Sequence, residues 1–298
     1  MQIDGVEIRE GFAEAFPMRA TRILVTAATA DWAETAGRTA TGFATSVIAC
    51  GVEAGIERGL APAETPDGRP GVALLFFATS RTVLREQLVA RVGQCVLTCP
   101  TTACYAGIDG EERLPLGKAL RFFGDGWQVA KRIGERRIWR IPVMEGEFLC
   151  EHETGMVRGV GGGNFLLLAE TAEAARAAAE RAVAAMRGLP GIILPFPGGI
   201  VRSGSKVGSR YRSLGASTND AYCPTLRGVA DTALPPEVGS VLEVVIDGLD
   251  EAAVAEAMAR GIRAACTVGR RGGLVAVDAG NYGGRLGPYH FHLREILA

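Results

Sequence analysis

The chain has 298 residues, enough for one large or two ordinary domains. Hydrophobic residues make up 48% and charged residues 22%, the balance of a globular protein able to bury a core. A net charge of -1 excludes a whole-molecule field aimed at nucleic acid or an anionic membrane, and no apolar run is long enough to span a bilayer.

The N-terminal stretch MQIDGVEIREGFAEAF lacks a basic region followed by an apolar one, so no signal peptide is expected. Seven cysteines without regular spacing imply reduced thiols and a cytoplasmic protein. Arg22 to Ala28 (RILVTAA) reads as a strand followed by a helix. Val72, Leu74 and Phe76 then form one face of a second strand. Ser80 offers a helix cap, and Leu84, Leu88 and Val92 recur at helical spacing. Cys95, Cys99 and Cys104 lack the spacing of paired metal ligands and read as small buried hydrophobes. Gly107 to Val143, with FFGDGW and WRIPV, reads as a strand-rich insertion.

The second half repeats this plan. GVGGGN at Gly159 to Asn164 precedes a strand, Asn164 to Ala169, whereas a dinucleotide fingerprint must follow one. An Ala-rich helix is expected from Ala172 to Arg187. At a constant offset, Val72, Leu74 and Phe76 match Leu242, Val244 and Ile246, and Ser80 matches Asp250. Val254, Met258 and Ile262 take the places of Leu84, Leu88 and Val92. Each half therefore reads β-α-β, connection, β-α-β. The expected fold is α+β, an internal duplication of two ferredoxin-like (split βαβ) lobes at 1–148 and 149–298.

Between Pro195 and Pro224 the chain reads PFPGGIVRSGSKVGSRYRSLGASTNDAYCP. A polar loop of this length is usually disordered or functional. Ile200, Val201, Val207, Tyr211 and Tyr222 provide apolar anchors against disorder. GIVRSGSK misses the phosphate-loop pattern, because Lys206 does not directly follow the second glycine. His290 and His292 would share a strand face, but the remaining histidine, His152, is remote in sequence, so no metal site is expected. No G-x-S-x-G elbow occurs.

Inside the strand VLEVVIDG one carboxylate is out of place. Alternation puts Val241, Glu243, Val245 and Asp247 on one face and Leu242, Val244 and Ile246 on the other. The latter match core positions of the first half, so they should face the helices. Glu243 is then either a solvated carboxylate or, if the long loop or another subunit covers its face, a desolvated one. Desolvation would raise its pKa toward neutrality and fit it to give and take a proton. The matching position in the first half is Ala73.

A series of strings runs from Thr39 to Gly287 in order: TATGFATSVIAC, ETPDGRPGV, RVGQCVLTCPT, FFGDGWQ, IPVMEGEF, GGNF, PFPGGIVRSGSKVGS, ASTNDAYCPT and AGNYGGRLG. Together they resemble the formylmethanofuran:tetrahydromethanopterin formyltransferase family. The resemblance implies transfer of a formyl group between the amine of methanofuran and N5 of tetrahydromethanopterin, both as substrates, with no metal or nucleotide cofactor. It implies two ferredoxin-like subdomains and a homo-oligomer. Within the family the chain is most similar to bacterial members, which resemble the D subunit of a formyltransferase/hydrolase complex. The family's catalytic glutamate falls on Glu243, with Leu242 where an aromatic residue usually precedes it. Ser203, Lys206, Thr218, Asn219, Asp220 and Tyr222 lie on segments the resemblance places near the substrates. A non-catalytic pterin-binding or scaffolding subunit is the alternative from a different class.

Overall fold

The computed structural model describes residues 1–285 and 287–298. In chain order its strands are β1 (Gln2–Ile3), β2 (Val6–Ile8), β3 (Phe12–Thr26), β4 (Glu53–Leu60), β5 (Gly71–Ala78), β6 (Ala103–Ala106), β7 (Glu112–Pro115), β8 (Val129–Ile133), β9 (Arg136–Val143), β10 (Gly146–Glu151), β11 (Glu153–Ala169), β12 (Ile192–Ile193), β13 (Lys206–Val207), β14 (Ala216–Ser217), β15 (Ser240–Gly248), β16 (Leu274–Asp278) and β17 (Tyr289–His292). The helices are α1 (Ala30–Thr41), α2 (Val47–Cys50), α3 (Arg81–Arg91), α4 (Gly117–Leu120), α5 (Ala172–Met186), α6 (Glu251–Cys266) and α7 (Leu293–Ile296). The architecture is mixed α+β. Among the described residues no helix is long and apolar enough to cross a membrane.

The chain divides into two compact units, Met18–Gly159 with Gly188–Pro195, and Met1–Pro17 with Val160–Arg187 and Phe196–Ala298. In the first, strands run in the order β4-β5-β3-β6-β10-β9-β8, antiparallel except for β6 and β10. The helices α1 and α3 pack on β5, and Ile23, Val25, Leu74, Phe76, Leu84 and Leu88 form its core. The Ser80 hydroxyl accepts from Val83 N and starts α3 as its sequence requires. The segment expected to be rich in strands holds β7, β8 and β9.

The second unit orders its sheet β1-β2-β16-β11-β15, with only β2 and β16 parallel. The helices α5 and α6 pack together and against β15. Thr171 and Asp250 cap them through Ala174 N and Ala253 N. Val244, Ile246, Val254, Met258 and Ile262 are fully buried. On the sheet, Leu166, Leu168, Val275 and Ala276 join Leu234 and Val238 in a second cluster, with Tyr222 and Val241 packed against it. The segment after β12 thus covers this sheet with apolar and aromatic side chains.

Two expectations change. The strand expected from Arg22 begins at Phe12, because Pro17 falls between the stretch that pairs with β17 and the stretch that pairs with β5. The glycine cluster lies inside β11 instead of before it. There the pairing with β15 shifts between Val160 and Gly163, and Gly162 takes φ 88°, which a side chain would resist.

Candidate active site

Glu243 sits in the middle of β15. On one side its residue pairs with Leu166 of β11. On the other, Glu243 N donates to Val201 O at 3.0 Å and Val201 N returns a bond to Glu243 O at 2.7 Å. Backbone bonds therefore fix its position from both sides. Glu243 lines a cavity of about 150 Å³. Leu166, Val201, Val241 and Leu242 give this cavity apolar walls, and Arg202, Ser203, Gly204, Asn219, Tyr222, Cys223 and Thr225 give it polar ones. The long loop thus covers Glu243, as the desolvated reading required.

Among the described residues none donates a hydrogen bond to the Glu243 carboxyl, and no cation pairs with it. Burial alone pushes its pKa up to about 7. Some exposure through the cavity mouth remains, so protons can reach it. A carboxyl of this kind is close to half-protonated at neutral pH, the state a proton shuttle needs.

The loop gathers some of the expected residues at the cavity and leaves others behind it. Ser203, Asn219 and Tyr222 line it with Glu243. The side chains of Ser203 and Asn219 make no hydrogen bond to another described residue, so their donors are open to a ligand. Lys206, Thr218 and Asp220 are not at its wall. Lys206 Nζ meets Asp220 Oδ2 at 2.5 Å, and this bond together with the lysine charge lowers the Asp220 pKa. Thr218 Oγ1 lies 3.4 Å from Cys223 Sγ. Their loop carries the short hairpin β13–β14, which no pattern in the sequence announces.

Comparison with known proteins decides the family. Residues 1–143 match the family model described as formylmethanofuran-tetrahydromethanopterin formyltransferase, and residues 146–296 match the one described as its proximal lobe. The chain belongs to this family. The formylmethanofuran--tetrahydromethanopterin formyltransferase of Methylococcus capsulatus is 63% identical over 298 residues, covering 100% of both chains. A subunit of the formyltransferase/hydrolase complex of Methylorubrum extorquens is 57% identical, with 99% of this chain and 97% of that one covered. A chain in the crystal structure of the formyltransferase/hydrolase complex from Methylorubrum extorquens, in complex with methylofuran, has a TM-score of 0.97 at 56% identity, covering 100% of this chain and 99% of that one.

Several wall residues of this formyltransferase chain escaped the sequence reading. Arg202 stands beside Ser203, and Cys223 and Thr225 follow Tyr222. Their only sequence signal was membership of the same long loop. A further pair lies behind the wall. The Tyr222 phenol donates to Asp278 Oδ2 at 2.9 Å, and Arg9 Nη1 reaches the same oxygen at 2.9 Å. Burial first, then the Asp278 charge, raises the Tyr222 pKa well above its ordinary value. Tyr222 is thus a neutral phenol at any physiological pH.

Proposed function

We infer that this chain is a formyltransferase moving a formyl group between N5 of tetrahydromethanopterin and the amine of methanofuran or a bacterial analogue. The observation that carries its mechanism is the carboxyl of Glu243, desolvated at a cavity wall with no partner among the described residues to hold it ionised.

The free amine attacks the formyl carbon, and a new N–C bond gives a tetrahedral intermediate. Its surplus proton passes to the Glu243 carboxylate. Glu243 then protonates the other nitrogen as that nitrogen's bond to the formyl carbon breaks. The carboxylate ends as it began, and no covalent enzyme intermediate is required. Without that proton the departing nitrogen is too basic to leave, so an acid with a pKa near 7 has a specific task. Donors open to the intermediate's oxyanion are the Ser203 hydroxyl and the Asn219 amide. Lys206, Thr218 and Asp220 stand behind them on the same loop, where the outlying parts of a large substrate would reach.

The organisation proposed for the chain is two ferredoxin-like lobes, 1–148 and 149–298. The matched pairs β5–α3 and β15–α6, with their caps at Ser80 and Asp250, support it. We assign it to the cytoplasm, in keeping with its cysteines, all of them free thiols. Its partners are further copies of itself and, by likeness to the Methylorubrum extorquens protein, the other subunits of a formyltransferase/hydrolase complex.

The test is formyl transfer by the isolated chain between formyl-tetrahydromethanopterin and methanofuran, followed by the loss of formyl-pterin absorbance. The wild type turns over, and Glu243→Gln keeps its fold but falls by about 10²–10⁴-fold. Near-normal transfer by the variant overturns the assignment, and an inactive wild type favours the scaffold reading.

A further inference from the structure

We propose that Asp278 is a positioning residue for this cavity, acting through Tyr222 and anchored by Arg9; the proposal rests on the reading of Glu243 as proton carrier. The geometry begins at Leu166 in β11. It pairs with Glu243 of β15 on one side and with Asp278 of β16 on the other. Directly opposed residues of antiparallel strands share a face. The two carboxylates therefore flank Leu166 on the cavity side of the sheet, about 10 Å apart across two strand spacings.

Their surroundings differ completely. Every bond that Glu243 lacks is present at Asp278. Its Oδ2 receives Arg9 Nη1 and the Tyr222 phenol, each at 2.9 Å, and its Oδ1 receives Ala279 N at 2.8 Å. Arg9 is itself fixed: its N donates to Val277 O at 3.0 Å, and its Nη1 also reaches Ala233 O at 3.1 Å. Asp278 is 8% exposed, so the bond to Tyr222 is shielded from competing water.

The consequence is chemical. A phenol has one proton, and here it is committed to Asp278. The Arg9 guanidinium also lies beside this oxygen, and with the capacity left to it towards the cavity the Tyr222 oxygen can only accept. An amine N–H held between this oxygen and Glu243 meets two acceptors, which suits a nitrogen that must shed a proton. As that nitrogen attacks, it gains positive charge and its N–H donates more strongly. The contact therefore strengthens in the transition state and acts on kcat more than on KM. In Asp278→Asn the acceptor shared by Arg9 and the phenol loses its charge, and its hold on the phenol proton weakens.

The experiment is a double-mutant cycle on formyl transfer with Tyr222→Phe, Asp278→Asn and the double variant, with wild type and Glu243→Gln in the same assay. Each single change is expected to lower kcat about tenfold with KM within about twofold, the worth of one hydrogen bond gained in the transition state. The double variant should be no slower than the slower single. Ultraviolet resonance Raman spectra, taken as wild type minus Tyr222→Phe, should show a strong-donor phenol that weakens in Asp278→Asn. Additive losses, a change in KM alone, or a phenol signal indifferent to Asp278→Asn would each overturn the proposal. If wild type and Glu243→Gln behave alike, the fault lies in the reading of Glu243, and the Raman result still decides the positioning.

Discussion

Glu243 and Asp67 are both carboxylates on a cavity wall, each in its own unit, and their surroundings are opposite. The cavity at Asp67 measures about 290 Å³ and is lined by Arg69, Cys99, Thr101, Glu145 and Glu147 among others. There every carboxylate is compensated. Asp67 Oδ2 accepts from Thr26 Oγ1 at 2.7 Å, Arg69 Nε at 2.8 Å and the Tyr105 phenol at 3.1 Å. Glu147 holds Arg140 through bonds of 2.6 and 2.7 Å, and Glu145 Oε2 accepts from Thr101 N at 2.8 Å. Burial raises the Asp67 pKa, but the bonds from Thr26 and Arg69 and the arginine charge outweigh it, and the net shift is downward. At Glu243 burial acts unopposed and the shift is upward. A cavity with a carboxylate is thus not enough to suggest proton transfer. What matters is whether the protein supplies the donors that keep the group ionised.

This contrast can be broken from either side. Glu243→Gln should have the largest effect, the loss of turnover given above, together with a gain in stability. The carboxyl's folded pKa of about 7 lies above its unfolded value, so the wild type is favoured below about pH 4.5 and loses stability as pH rises through 7. The variant escapes that loss, by as much as about 3 kcal/mol above pH 7 and by almost nothing at pH 4.5, seen as pH-dependent urea midpoints.

Ala73→Glu builds the matching carboxylate in the other unit. Ala73 is 1% exposed, so about 3–5 kcal/mol of stability should be lost, with no gain of function. Thermal unfolding checks this, and an unchanged midpoint would refute the idea that, of the two matched positions, only that of Glu243 has room for an acid.

Asp67→Asn should cost about 2–3 kcal/mol at pH 7, because Arg69 loses its anionic partner in a half-buried site and keeps only Thr101 O and Thr26 Oγ1. Asp67 has a depressed folded pKa, so its stabilisation is present above about pH 4 and fades as pH falls below that. The gap between wild type and variant should therefore close in acid. Lys206→Ala should do least. Its pair with Asp220 is exposed, and the melting temperature should move by less than about 2 °C. A KM rise in this variant would report contact with substrate beyond the cavity.

Much of the frame was legible because it is written locally. Caps at Ser80 and Asp250 and the stripes Leu84–Leu88–Val92 and Val254–Met258–Ile262 are short-range signals, and all six stripe residues are fully buried. Glu243 was legible for the opposite reason: it breaks the apolar pattern of its strand. The loop's placement over it was a stated condition that sequence alone could not meet. Asp278 and Arg9 were illegible, since an aspartate at a strand end and an arginine after a short strand look ordinary. Their meaning depends on a contact spanning 269 residues of chain. The hairpin β13–β14 was missed because its strands are two residues each, too short for any alternation to show.

The central claim is that Glu243, without a charged or donor partner among the described residues, holds its proton near neutrality. Its ionisation can be followed directly by infrared difference titration, subtracting Glu243→Gln from wild type across pH 4 to 9 in the carboxyl region. A protonated carboxyl band that converts to carboxylate with a midpoint near pH 7 is the expected result. A midpoint below about pH 5, the range of an ordinary solvated glutamate, would contradict it.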